Sequence, residues 1–118
     1  MKIGLMKKIN NYIIEKLYIN KDTEIFNDDD YNYNQLNKII YNYFNKKNDY
    51  DISYKPHKED EFIGIKIIIK FKKYHSGVKL NKWADDISKI INEDTDYKWY
   101  RYEYDISSIY IEILISKK

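Results

Sequence analysis

A chain of 118 residues is long enough for one hydrophobic core and too short for two domains. No cysteine occurs, which excludes a disulfide scaffold, a thiol nucleophile and thiolate metal sites, and no apolar run approaches the roughly 18 residues that span a bilayer. Hydrophobic residues at 43% and aromatic residues at 17% exclude intrinsic disorder, while a net charge of +2 is too even to imply nucleic acid by itself.

Ile, Lys, Tyr and Asn supply 68 of the 118 residues, whereas Gly, Ala, Pro and Arg together supply six. The abundant four have AT-rich codons and the scarce four GC-rich ones, so the bias reports a genome such as that of an AT-rich bacterium, its phage or a large virus. Lysine and tyrosine counts therefore carry no functional signal; only their positions on the fold can.

Residues 3 to 18 place Leu5, Met6, Ile9, Ile13, Ile14 and Leu17 at spacings of three and four, which predicts an amphipathic helix. The first eight residues lack the apolar run and small-residue cleavage site of a secretory leader. The polar stretch 20 to 30 ends in Asp28-Asp29-Asp30, a predicted N-terminal cap, and a second helix is expected to run to about Asn48 on a stripe of Tyr33, Leu36, Ile39, Ile40, Tyr43 and Phe44.

After Asn48 the apolar period changes from 3.6 to 2. Residues 50 to 55 predict a short strand that Pro56 and the polar turn to Asp60 end, because proline cannot continue a ladder. Ile63, Ile65, Ile67, Ile69 and Phe71 alternate with Gly64, Lys66, Ile68, Lys70 and Lys72, the strongest strand signal in the chain, with Gly64 marking a bulge or a close backbone approach. His75-Ser76-Gly77 breaks it, and residues 79 to 92 form a helix on Leu80, Trp83, Ala84, Ile87, Ile90 and Ile91. A strand over 96 to 105 puts Tyr100, Tyr102 and Tyr104 on one face and Tyr97, Trp99, Arg101 and Glu103 on the other. After a tight turn, a last strand buries Ile109, Ile111, Ile113 and Ile115, with Tyr110, Glu112 and Leu114 opposite.

The fold class expected is α+β over a single domain, 1–118: a helical part, 1–48, then a ββαββ part, 49–118, forming one mainly antiparallel four-stranded sheet with a helix on one face. The N-terminal helices are expected on part of the second face or on an edge.

Catalytic patterns are weak. His57 and His75 both fall in turns, Ser76 beside His75 is not a nucleophile–base geometry, and no G-x-S-x-G occurs. The three glycines form no phosphate loop, and the histidines and carboxylates lack metal-ligand spacing, so no cofactor and no metal is expected and the chain reads as a non-enzyme. The second sheet face stands out: Lys66, Lys70, Trp99, Arg101, Tyr110 and Leu114 make a mixed aromatic and basic surface suited to a protein partner or to self-association. Lys66, Lys70 and Lys72 also suit single-stranded nucleic acid, and Asp28–Asp30 with Glu59–Glu61 suit an acidic mimic of nucleic acid.

The order of elements over residues 50 to 116, with the strand Phe62–Phe71, the helix Leu80–Ile91 and the terminal strand Ile109–Ile115, resembles that of phage tail-terminator and neck (head–tail joining) proteins, from which the helix at 31 to 48 departs. The resemblance implies a non-catalytic ring subunit, commonly hexameric, located in the virion or the host cytoplasm, neither secreted nor membrane-bound. A small phage-encoded inhibitor of a host defence nuclease, of the anti-CRISPR kind, and a nucleic-acid-binding module are the alternatives.

Overall fold

The computed structural model describes residues 12–14, 30–45 and 49–118. In chain order the elements are β1 (Tyr12–Ile14), α1 (Tyr33–Phe44), β2 (Tyr50–Glu59), β3 (Phe62–Phe71), α2 (Gly77–Asp94), β4 (Tyr97–Asp105) and β5 (Tyr110–Lys117). The fold is mixed α+β: β2, β3, β5 and β4 lie side by side, each antiparallel to its neighbour, and β1 adds a short parallel strand on the outer edge of β2. Among the described residues no helix is long and apolar enough to cross a membrane.

The helix expected over 3 to 18 lies outside the described residues except at Tyr12–Ile14, which form strand instead. A short apolar run fits either element, and here the free edge of β2 provides pairing at Ile52, Ser53 and Tyr54. For the predicted acidic helix cap, Asp28 and Asp29 lie outside the described residues and Asp30 precedes the helix; the cap of α1 is Asn32, whose side chain accepts from the Gln35 N–H at 2.9 Å. The helix stops at Phe44, earlier than the sequence suggests, because Asn45 takes a left-handed conformation (φ 53°) and its N–H closes on the carbonyls of Tyr41 and Asn42.

β2 runs through Pro56 to Glu59, longer than expected, and Pro56 sits opposite Ile65. Among the described residues β1 pairs only as far as Tyr54, so at Pro56 no described strand on the outer side of β2 calls for an N–H donor. Ser76 caps α2 by accepting from the Lys79 N–H.

Both helices pack on the same face of the sheet, so α1 lies beside α2 rather than on the second face. Leu36, Ile40, Leu80, Ala84, Ile87 and Ile91 meet the inward row of Ile52, Tyr54, Ile65, Ile67, Ile69, Ile111, Ile113 and Ile115 in one core. Aromatic contacts join the layers: the Phe44 ring packs edge-on against Phe71 and Trp83 at centroid separations of 5.6 and 5.3 Å. The Tyr43 hydroxyl donates to Asp86 Oδ2 at 2.6 Å and ties α1 to α2; burial followed by this carboxylate raises the Tyr43 pKa, and the bond lowers that of Asp86. Ile109 is not a strand residue but ends the β4–β5 turn at φ 56°, a conformation costly for a β-branched side chain; its carbonyl accepts from the Phe71 N–H and its side chain packs on the core.

Candidate functional site: an aromatic cleft at the end of the sheet

The register of β4 builds the site. Trp99 sits opposite Ile115 and Arg101 opposite Leu114, which leaves Tyr100 as an extra residue in a β-bulge. Strict alternation is therefore lost, and the sequence-based assignment of faces is corrected. Tyr97, Trp99, Tyr102 and Tyr104 lie on the helix side, since Ile115, Ile113 and Ile111 opposite the last three are core residues; Tyr100, Arg101 and Glu103 lie on the other. Trp99 stacks on Tyr102 (6.0 Å, 29°), and Tyr102 donates to Asn81 of α2. Trp99 and Arg101 thus do not share a face.

A second feature opens the cleft. The β3–β5 ladder ends at Ile65 and Ile115, although β3 starts at Phe62 and β5 continues to Lys117, so the strands part. At the fork, a Cβ on Gly64 would lie 2.1 Å from the Ile115 carbonyl oxygen, so the close backbone approach read at Gly64 is present. The Phe62 ring fills the space over the glycine and stacks on Tyr100 at 4.5 Å and 19°.

The parted strands enclose a cleft of about 780 Å³, walled by Tyr31, Phe62, Trp99 and Tyr100. Tyr97 supplies the far wall indirectly. Its buried hydroxyl accepts from the Asn32 N–H at 2.6 Å and donates to the Asp30 carbonyl at 3.3 Å, and its ring stacks on Tyr31 at 5.2 Å. Burial, and after it the Asp30 carboxylate, push the Tyr31 phenol up to about 12, so it stays neutral at physiological pH. Trp99 and Tyr100 remain 41% and 45% exposed although each is held by a stacked neighbour.

Charge around the cleft is mixed. Asp30 pairs with Lys117 (3.3 Å), whereas Asp60 and Glu61, in the β2–β3 turn, form no ion pair among the described residues. Asp30 and the Glu59–Glu61 stretch, separate acidic runs in the sequence, thus reach one place.

The face away from the helices holds the other residues singled out by sequence. Leu114 is 4% exposed and Lys66 bonds to Glu112 at 3.6 Å. Arg101, the chain's one arginine, donates to Glu59 Oε1 at 2.6 Å and also pairs with Glu103, while His57 Nε2 lies 2.8 Å from the same Glu59 oxygen. His57 first and then Arg101 hold the Glu59 carboxyl below its ordinary range, and Glu59 followed by Glu103 raises the Arg101 guanidinium. Lys70 is exposed in the row Asp51–Lys70–Tyr110–Asp105. Asp51 and Asp105 are therefore at opposite edges of the antiparallel sheet, and Asp105 Oδ1 is occupied by Ser107 and Ser108 in the turn. No cluster of three or more potential metal ligands occurs among the described residues.

No family model matches the chain, and no characterised protein or solved structure does so either. The reading of the site rests on its geometry.

The sequence reasoning missed the cleft because its lining comes from four separate stretches, 30–31, 60–63, 98–100 and 116–117. The available signal was the run Tyr97 to Tyr104, where aromatic residues at 97, 99, 100, 102 and 104 break a strict period of two.

Proposed function

We propose that this protein is a non-catalytic assembly protein of phage or viral origin, acting as a ring subunit of the tail-terminator kind. The observation that carries the reading is the pair of exposed yet stacked aromatics, Trp99 and Tyr100, at the start of an edge strand. Large side chains already held in place lose little entropy on contact, and Trp and Tyr are the residues that dominate protein interfaces. The AT-biased composition supports the phage assignment, and the ββαββ order supports the ring subunit. Size-exclusion chromatography with light scattering tests it: a ring-sized particle is expected, and a chain that stays monomeric at high micromolar concentration overturns the reading.

One observation favours a second reading, inhibition of a nuclease by acidic mimicry: Asp30, Asp60 and Glu61 line a single cleft. An inhibitor of this kind would remain monomeric or dimeric and bind its target in a salt-sensitive manner.

A further inference from the structure

The two ends of β4 carry different surfaces, and we infer that copies of this chain associate head to tail, an apolar knob around Val78 and Ile106 of one copy entering the Trp99–Tyr100 cleft of the next. The inference rests on the ring-subunit reading and names its contact.

The knob arises from Gly77. A Cβ there would sit 3.3 Å from Ile106 Cγ2 and 3.4 Å from Tyr104 Cε1, so the β4–β5 turn packs directly on the first turn of α2. The packing leaves Ile106 50% exposed and Val78, the residue after Gly77, 81% exposed. Such large apolar side chains grouped on a surface mark a contact site rather than chance exposure. Lys79 follows Val78 directly and Lys73 lies in the loop before α2; both are exposed and neither forms an ion pair among the described residues.

The cleft lies towards the opposite end of the strand, roughly 20 Å away at the rise of an extended chain. Its charges without an ion-pair partner among the described residues are the carboxylates of Asp60 and Glu61 and the ammonium of Lys98, a net charge of −1. Apolar area alone does not select an occupant, but charge does: a knob flanked by lysines meets a cleft rimmed by carboxylates. Docking cleft on cleft would bring two net-negative rims together. A contact between two different patches of the same chain is heterologous, and repetition closes a ring or extends a filament.

Charge reversal tests this. Asp60→Asn with Glu61→Lys reverses the cleft while respecting the left-handed backbone of residue 60 (φ 49°), and Lys73→Glu with Lys79→Glu reverses the knob. With folding checked by circular dichroism, each double variant alone should associate at least tenfold more weakly than the parent in sedimentation velocity. Mixing the two should restore large particles, because each then offers the other a complementary knob and cleft. If the parent forms rings that neither variant weakens, the contact assigned here is wrong while the ring reading stands. A parent that stops at a dimer overturns the head-to-tail geometry, and a monomeric parent overturns both.

Discussion

At Gly64 the space for a side chain is already taken, by the Ile115 carbonyl at 2.1 Å and the Phe62 ring at 2.7 Å from an added Cβ. Backbone cannot yield as a side-chain tip can, so Gly64→Ala should lower stability by about 3 kcal/mol, read as a shift in the urea midpoint. Ser88 is the opposite case. It is buried in α2 with its hydroxyl lacking a hydrogen-bond partner among the described residues, so the fold bears a desolvation cost with no return. Ser88→Ala should leave stability unchanged or raise it by up to about 1 kcal/mol, also because Ala favours a helix more; a loss above that size would mean the hydroxyl has a partner. The glycine was legible as a site of close approach, since a Gly inside so apolar a strand has few other uses. The serine was not, because burial of one polar residue depends on which side of α2 meets the sheet.

Among the elements, α2, β3 and β5 were legible because each has many apolar residues in one unbroken period. β4 was legible as a strand but not in its faces: its aromatics fit either parity, and the bulge that decides between them depends on β5 and on the Phe62 ring. The bulge makes a specific prediction. Deleting Tyr100 should restore an ordinary ladder, with Trp99 still opposite Ile115 and Arg101 opposite Leu114, and remove the stack on Phe62 and the contact of the Arg101 guanidinium with the Tyr100 ring. The expected loss of stability is about 1 kcal/mol, the size of one aromatic pair, whereas association should fall sharply because a wall of the cleft is gone. Thermal unfolding and light scattering on the same sample separate the two effects. The end of β2 depends on neighbours in the same way: proline stops a ladder only where an adjacent strand needs a donor from that position, which the local sequence does not reveal.

On the scale of the whole molecule, separated parts of the chain are held together by groups whose charge depends on pH. The Asp86 carboxyl is lowered first by the Tyr43 hydroxyl and then by Lys82, Glu59 by His57 and Arg101, and Asp105 by Ser107 and Ser108. For each, the folded value lies below the unfolded one, so its stabilisation is present above the unfolded value and is lost as pH falls through the folded value. His75 is also lowered, mainly by burial and then by Lys79; its ring packs edge-on against Trp83 (4.8 Å) and Phe71 (5.2 Å). Protonation therefore favours the unfolded chain, and His75 adds a loss of stability that begins as pH drops below about 6.5, well before the carboxylates titrate. Urea midpoints should be flat between about pH 7 and 9, begin to decline below about pH 6.5, and fall more steeply below about pH 4. His75→Phe keeps an aromatic ring between Trp83 and Phe71 but cannot be protonated, so it should reduce the first decline and leave the second. An unchanged first decline below about pH 6.5 in that variant would show that His75 is not its source.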